Sequence, residues 1–249
     1  MIELNPPLQS VSEITQVSLG IIRDISESYQ PNESVLRELG HKTLVPIVGP
    51  CAVGKSYVID ALVSHHQDWA KVLSFSTRDP RPDDTPDTMV CLPWDERHVK
   101  RICNTIEAGE AVQYVFHPKT DDIYGSTVES YPGTYNLLPA LSNSVAALER
   151  LPFHAVRVAG LVTSPDAWTE WFEQRSFASS ADRRARIAEA ALSLEWLLDN
   201  TQTAIVTNLP GQPDYAAHAI RVFAAASVDS APPRDEALAI ELYQHVTSL

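Results

Sequence analysis

A short glycine-containing stretch has the residue types and spacing of a phosphate-binding loop. Residues 49–56 read GPCAVGKS and match the pattern G-x-x-x-x-G-K-[ST]. The glycines of such a loop let successive backbone N–H groups point at a phosphate, and the following helix adds its positive N-terminal dipole. The lysine reaches the β- and γ-phosphates, and the serine hydroxyl can ligate Mg²⁺. A predicted strand precedes the stretch and a predicted helix follows it, which favours nucleoside triphosphate binding over a glycine turn beside a surface lysine.

The phosphate loop gives a first set of candidate residues for binding ATP and Mg²⁺. ATP is assigned to Gly49, Pro50, Cys51, Ala52, Val53, Gly54, Lys55 and Ser56, and the metal to Ser56. Amides at a helix N-terminus can lower the pKa of a thiol such as that of Cys51 and make it reactive. The simpler interpretation is that Cys51 is a small residue standing in for serine.

Two arginines follow downstream in an extended, proline-rich stretch. Residues 75–84 read FSTRDPRPDD, with Arg78 and Arg81 three positions apart. The prolines exclude a helix and stiffen the chain, so ordering the guanidinium groups costs less entropy. Two guanidinium groups converging on one dianion suit a phosphate monoester. Alone, these arginines would be expected to pair with the neighbouring aspartates, but downstream of a phosphate loop the phosphate role is favoured.

Three motifs, in this order and near this spacing, resemble those of the guanylate kinase family: GPCAVGKS, SFSTRDPRP at 74–82 and DIYGST at 122–127. The resemblance covers roughly residues 43–210. It implies that Arg78, Arg81 and Tyr124 hold the phosphate of an acceptor nucleotide, with Ser74 nearby and Ser126 contacting the base. It also implies that residues 173–187 form a lid, in which Arg175 and Arg186 close over the transferred phosphoryl group. Asn208 lies near the asparagine that ends the family's last strand.

The chain departs from that family at positions that read the base and support the metal. Gln113 stands where the family has a glutamate, and an amide has only one carbonyl for the two donors of guanine. Val90 stands where a tyrosine contacts the phosphate. The stretch YNLLPALSN at 135–143 has no carboxylate where the family has an aspartate pair. Asp121 or Asp122, in a loop longer than the family's, could supply a substitute.

Composition limits the classes of function. The chain has 249 residues and a formal net charge of −13, which disfavours nucleic acid as a partner. Its three cysteines form no CxxC pair, which indicates a reducing compartment, and no apolar stretch is long enough to span a membrane. These features predict a soluble cytoplasmic protein. From the phosphate loop and the family resemblance, the expected partners are small-molecule nucleotides, and the expected state is a monomer or a homodimer.

Apolar, β-branched stretches alternate with helical periodicity from residue 42 onward, which predicts a mainly parallel sheet covered by helices. Strands are predicted at 43–48, 71–75, 111–116, 155–162 and 203–208, with a further candidate at 135–141 that Pro139 interrupts. Helices are predicted at 55–66, 95–108, 166–175, 181–199, 214–226 and 234–247. Pro46 is unexpected within a central strand because it removes a ladder hydrogen bond.

The first 41 residues are predicted to be a helical appendage. Val11, Ile14, Val17, Ile21 and Ile25 recur at helical spacing, with Ser10 or Ser12 as the N-cap. A second short helix is predicted from Glu33 to Leu39, ending at Gly40. The appendage packs either on the main domain or on a second subunit.

The predicted fold class is α/β: a P-loop NTPase fold at 42–249 with a central parallel sheet, a small acceptor-binding subdomain at about 76–130 and a helical lid at about 173–187. The expected activity is transfer of the γ-phosphoryl group of ATP to a nucleoside monophosphate, with GMP first among acceptors. The catalytic candidates are Lys55, Arg78, Arg175 and Arg186. Two alternatives remain open: a kinase acting on another phosphorylated small molecule, such as a sugar phosphate, and a non-catalytic module that binds a phosphorylated partner.

Overall fold

The computed structural model describes residues 11–80, 87, 89–117, 120–177, 179–227 and 230–249. Its strands are β1 (Thr43–Val48), β2 (Trp69–Lys71), β3 (Ser74–Ser76), β4 (Met89–Cys91), β5 (Ala111–Phe116), β6 (Ile123–Thr127), β7 (Tyr135–Pro139), β8 (Ala155–Val156), β9 (Ala159–Val162) and β10 (Ala204–Thr207). Its helices are α1 (Glu13–Asp24), α2 (Glu33–Leu39), α3 (Lys55–His65), α4 (Glu96–Glu107), α5 (Val145–Leu148), α6 (Pro165–Glu173), α7 (Ser180–Asp199), α8 (Pro213–Ala225) and α9 (Glu236–Thr247).

The chain divides into two compact units. The core unit comprises Thr43–Ala70, Gly133–Arg150 and Ala155–Leu249, and the accessory unit comprises Met1–Lys42, Lys71–Pro132 and Leu151–His154. The N-terminal helices therefore belong to the same unit as the stretch that follows β2.

The core unit is built around a sheet in which the strands lie in the order β10-β9-β1-β7-β2, with β8 also paired to β1. Strand β1 pairs in parallel with β7, β8 and β9, and β9 pairs in parallel with β10. All six residues of β1 are buried, because helices cover the sheet. Helices α3 and α8 pack against each other, and α3 contributes Val58, Ile59 and Leu62 to the apolar core. The predicted α/β class with a central parallel sheet is confirmed.

Pro46 is tolerated within β1 because the pairing of β1 with its neighbours β8 and β9 is interrupted at this residue. Alternate residues of β1 face opposite neighbours: Leu44 O accepts from Arg157 N, whereas Ile47 O accepts from Ala140 N. By this alternation the missing N–H of Pro46 faces the side of β8 and β9. That side pairs with β1 at residues 43–44 and again at 47–48, but not between them. The predicted single strand 155–162 is thus two short strands.

The accessory unit contains a four-stranded sheet in the order β4-β3-β6-β5. Strand β3 pairs in parallel with β4 and antiparallel with β6, which is antiparallel to β5. The predicted strand 71–75 is therefore wrong as a single element, since its two ends belong to different sheets. The sequence did not predict β4 and β6: β4 is apolar but only three residues long, and β6, which reads IYGST, shows no run of apolar residues. The predicted helices from residue 55 onward are confirmed to within two residues at each end.

Helix α1 packs on α4 within the chain, but through a different face from the predicted one. Its buried residues are Thr15, Leu19 and Ile22. Within the helix the predicted stripe points to solvent, with Ile14 75% and Val17 64% exposed, whereas Val11, which precedes the helix, is buried. Thr15 can face inward because its hydroxyl donates to Glu96 Oε1 at 2.6 Å. Ser12 is the N-cap and accepts from Thr15 N. None of the helices in the described ranges has the length and apolar character needed to cross a bilayer.

Candidate active site

The phosphate-loop motif forms a tight turn between β1 and α3. Gly49 has a φ of 151° and Gly54, the N-cap of α3, has a φ of 86°, a region of backbone conformation that favours glycine. A Cβ on Gly49 would lie 2.5 Å from Leu161 O, and one on Gly54 would collide with the Asn208 amide. Both glycines of the motif are therefore required by the backbone, and the loop is fixed against the ends of β9 and β10.

Lys55, the first residue of α3, curls back over the loop. Its Nζ donates to Gly49 O at 2.5 Å and to Pro50 O at 3.1 Å. Burial lowers the pKa of Lys55, while the negative charge of Glu189 acts in the opposite direction. The ammonium group thus lies where the phosphates of a bound nucleotide would meet the loop.

A cavity of about 500 Å³ opens over this loop, and we call it the phosphate-loop cavity. It is lined by residues 51–57, by residues 139–141 at the end of β7, and by Trp171, Arg175, Arg186 and Glu189. Three of the four catalytic candidates from the sequence, Lys55, Arg175 and Arg186, therefore meet at one cavity of the core unit. Positive charge converging on a concave site suits a polyphosphate.

The two arginines reach the cavity from separate elements. Arg175 follows the C-terminus of α6, and its backbone N–H donates to Phe172 O. Arg186 lies in the second turn of α7 and forms an ion pair with Asp182 at 3.5 Å. No ion pair to the Arg175 side chain occurs among the described residues, which leaves its guanidinium group available for an anionic ligand. The Trp168 and Phe172 rings of α6 stack at 4.7 Å and are buried, so they serve packing.

Glu189 is a cavity residue that the sequence did not reveal. It lies on α7, three positions after Arg186, and is the one carboxylate among the described residues that line the cavity. Burial lowers the pKa of Lys55 and raises that of Cys51, and the negative charge of Glu189 opposes the first shift and adds to the second. Residues three positions apart on a helix lie on the same face. The spacing of Glu189 from Arg186 was therefore the sequence signal that could have revealed it.

The oxygen ligands at the cavity fit Mg²⁺. The metal prefers hard oxygen donors and is usually held by one or two protein ligands together with phosphates and water. Ser56 supplies a hydroxyl in the first turn of α3, and Glu189 supplies a carboxylate. The end of β7 adds only Pro139, Ala140 and Leu141. No group of three or more His, Cys, Asp or Glu side chains in the described part of the chain could itself hold a metal ion.

Cys51 does not have the lowered pKa that its place in the loop suggested. Burial raises the pKa of its thiol, and the charge of Glu189 adds to this effect. The sulfur lies 3.6 Å from Arg186 O, and the backbone O of Cys51 accepts from Trp168 Nε1 at 2.9 Å. Desolvation outweighs the nearby positive charges here, which favours the interpretation of Cys51 as a small residue in place of serine over that of an activated thiol.

Asn208 holds the phosphate loop in place through a hydrogen bond to its backbone. It follows β10, is buried, and donates from Nδ2 to Val53 O at 2.9 Å. Its own backbone O accepts from Thr163 Oγ1 at 2.8 Å. The asparagine that the family resemblance singled out therefore fixes the position of the loop.

The acceptor candidates lie in the accessory unit. Ser74 is the first residue of β3, and Tyr124 of β6 pairs with Ser76 across the sheet. Arg78 follows β3 directly: its backbone N–H donates to Ser76 Oγ at 3.2 Å, and its Nη1 donates to Asp79 O at 2.8 Å. Arg81 lies outside the described residues, so its assignment remains a prediction.

Gln113 and Ser126 face each other on β5 and β6 and are joined by a third residue, Tyr131. The Ser126 hydroxyl lies 2.9 Å from Tyr131 Oη, and both residues are fully buried. Burial raises the pKa of Tyr131 to about 12, against the effects of hydrogen bonds with Ser126 and Gln113. Sequence reasoning missed Tyr131, whose role depends on the turn after β6.

The two aspartates considered as substitute base-reading groups already have partners. Asp121 forms an ion pair with Arg23 of α1 at 3.1 Å, and Arg23 also lies over the Phe116 ring at 4.5 Å. Asp122 accepts from Thr120 Oγ1 at 2.6 Å and lies 3.5 Å from Thr77 Oγ1. In this structure their carboxylates organise the loop between β5 and β6.

Comparison with known proteins gives distant likenesses among solved structures. No protein-family model matches the chain, and no curated protein matches it. Among solved structures, the crystal structure of guanylate kinase from Anaplasma phagocytophilum is similar with a TM-score of 0.45 and 14% sequence identity, over 76% of this chain and 89% of that one. At this degree of likeness, neither the reaction nor the acceptor of that enzyme transfers to this chain.

Proposed function

We propose that this protein transfers the γ-phosphoryl group of ATP, in the presence of Mg²⁺, to a nucleoside monophosphate, with GMP the first acceptor to test. The observation that supports this proposal most is the convergence of Lys55, Arg175 and Arg186 on the phosphate-loop cavity. Phosphoryl transfer needs positioning and charge neutralisation more than covalent chemistry from the protein. A glycine loop with three cations above it supplies both.

On the donor side, the backbone N–H groups of the loop at residues 49–56, other than Pro50, which has none, hold the phosphates of ATP. Lys55 exchanges its bonds to the Gly49 and Pro50 carbonyls for bonds to phosphate oxygens. Arg175 and Arg186 stabilise the charge on the transferred group and exclude water around it. When bound, Mg²⁺ neutralises phosphate charge, and Ser56 is the hydroxyl ligand for it.

The protonation state of Lys55 follows from the same geometry. Burial lowers the pKa of Lys55 because desolvation disfavours the charged amine. A bound triphosphate brings negative charge next to the amine and raises the pKa again. Nucleotide binding and a protonated Lys55 therefore support each other.

On the acceptor side, Arg78 and Tyr124 hold the phosphate of the monophosphate, and Arg81 is assigned to the same phosphate. Ser74, Gln113 and Ser126 are assigned to the remainder of the acceptor. The hydrogen bonds of Gln113 and Ser126 to Tyr131 already use part of their capacity. This observation favours weak discrimination among bases, and it keeps a different phosphorylated acceptor, such as a sugar phosphate, as the second candidate. A non-catalytic module is disfavoured because Lys55 and Ser56 are both intact.

An acceptor panel tests this proposal. Formation of ADP from ATP and Mg²⁺ would be measured with GMP, AMP, CMP, UMP, glucose 6-phosphate and ribose 5-phosphate. We expect turnover with at least one nucleoside monophosphate and a new diphosphate as product. Turnover with a sugar phosphate alone would move the acceptor to the second candidate. ATP binding without turnover on any acceptor would contradict the kinase proposal and favour a binding module.

A further inference from the structure

The phosphate-loop cavity contains a hydroxyl ligand for Mg²⁺ but receives no carboxylate from the end of β7, where residues 139–141 are Pro, Ala and Leu. Phosphate-loop enzymes hold the metal with the loop serine or threonine and a carboxylate from a neighbouring strand. In this chain, Glu189 of α7 is the carboxylate among the described lining residues.

One hydrogen bond orients the Glu189 carboxylate. The Ser193 hydroxyl, one turn further along α7, donates to Glu189 Oε1 at 2.9 Å. Ser193 is only 1% exposed, so the donor of this part-buried bond is held in place by the packed core. Carboxylates that hold a metal are commonly oriented by such a bond, which leaves the second oxygen for the ion. The other side of Glu189 faces the cavity with Lys55 and Arg186.

We propose that Glu189 is the carboxylate that positions Mg²⁺ in this protein, with Ser56 as the hydroxyl ligand. This inference rests on the proposed function and adds to it a helix-borne residue in place of the missing strand-borne one. Mg²⁺ held by one carboxylate, one hydroxyl, phosphates and water has the ordinary coordination of the ion. Ser193 acts through Glu189 and is a positioning residue.

A second role for the same carboxylate would be only to neutralise Lys55 and the arginines. When the charge of Glu189 is removed, the two roles predict opposite changes in the affinity for Mg²⁺–ATP. A metal-positioning carboxylate attracts the Mg²⁺ complex of ATP and repels metal-free ATP. A simple counter-charge opposes both forms, because both carry net negative charge. The affinities for the two forms therefore separate the roles.

The experiment measures ATP binding by isothermal titration calorimetry, once with Mg²⁺ and once with EDTA, in wild type and Glu189→Gln. Glu195→Gln is the matched control, since Glu195 lies on the same helix but lines a neighbouring groove instead. In Glu189→Gln we expect the Kd for Mg²⁺–ATP to rise about tenfold or more and the Kd for metal-free ATP to fall. The control should match wild type in both.

Three further outcomes would contradict a metal-positioning role for Glu189. Tighter binding of both ATP forms by Glu189→Gln would show a counter-charge and overturn the metal role. Unchanged binding of both forms would overturn any role for Glu189 while leaving the proposed function standing. Absence of ATP binding by wild type under both conditions would overturn the proposed function together with this inference. If Glu189→Gln does not fold, Glu189→Asp keeps the charge and should lose part of the Mg²⁺ enhancement without tightening metal-free ATP, and an unreduced enhancement would overturn the proposal.

Discussion

Arg183 and Arg186 lie three positions apart on α7, yet only Arg186 lines the phosphate-loop cavity. Arg183 forms an ion pair with Glu173 at 2.5 Å, and its guanidinium group lies over the Phe172 ring at 5.5 Å. The same residue type on the same helix thus has a packing role at one position and faces the cavity at the other.

This pair gives a matched test of the donor side. Arg186→Ala is expected to lower kcat by roughly a hundredfold or more, because it removes a cation that stabilises the transferred phosphoryl group. Arg183→Ala should leave kcat within a few fold. Steady-state kinetics with ATP and the best acceptor measure both. Equal losses in the two variants would mean that α7 acts through its fold rather than through Arg186.

Arg78 tests the acceptor side. Arg78→Ala is expected to raise the acceptor KM about ten- to hundredfold, the cost of one charge-assisted hydrogen bond, and to leave the ATP KM nearly unchanged. Arg97→Ala is the control, since Arg97 is exposed on α4 of the same unit. The KM values for the acceptor and for ATP, measured in wild type and in both variants, test this prediction. A loss confined to ATP affinity would contradict the assignment of this loop to the acceptor.

Gln113 tests the choice of base. Gln113→Glu should improve kcat/KM for GMP relative to AMP, because a carboxylate accepts from both guanine donors whereas an amide offers one carbonyl. The wild type should discriminate weakly between the two purines. A wild type that prefers GMP by about a thousandfold would refute the relaxed site and direct attention to the loop at residues 113–125.

Glu96 makes the docking of α1 dependent on pH. Its carboxylate accepts from Thr15 Oγ1 at 2.6 Å and from Ser12 Oγ at 2.8 Å. The bond from Thr15, followed by those from Ser12, lowers the pKa of Glu96. A depressed carboxyl pKa stabilises the folded form above the unfolded value of about 4.3, and this contribution disappears as the pH falls through the folded pKa.

Amide hydrogen exchange across residues 13–24 measures this effect. After correction for intrinsic rates, α1 should lose protection between pH 6 and pH 3, and Glu96→Gln should lose it already at pH 6. Glu107→Gln, an exposed position on the same helix as Glu96, is the control. Protection that is unchanged in Glu96→Gln would show that α1 is held by its apolar contacts alone.

The sequence predicted more of the local structure than of the contacts between elements that are distant along the chain. The loop at residues 49–56 and the helices were predictable because their signals lie within a few adjacent residues. Glu189 and Tyr131 were not, since their roles depend on what other elements bring next to them. The face of α1 was mistaken because two stripes one residue apart, Ile14 with Val17 and Leu19 with Ile22, both have helical spacing. The partner helix α4 determines which stripe is buried, through Glu96 opposite Thr15 and through its apolar residues opposite Leu19 and Ile22.

The central claim is phosphoryl transfer at the phosphate loop, and the most direct measurement follows the phosphoryl group itself. ATP labelled at the γ-phosphate would be incubated with Mg²⁺ and the acceptors, and label would be counted in the products. Wild type and the exposed control Lys100→Ala should transfer label to a nucleoside monophosphate. Lys55→Ala, with an unchanged thermal unfolding midpoint, should be slower by a factor corresponding to about 3 kcal/mol or more. Undiminished transfer by a folded Lys55→Ala protein would contradict the account.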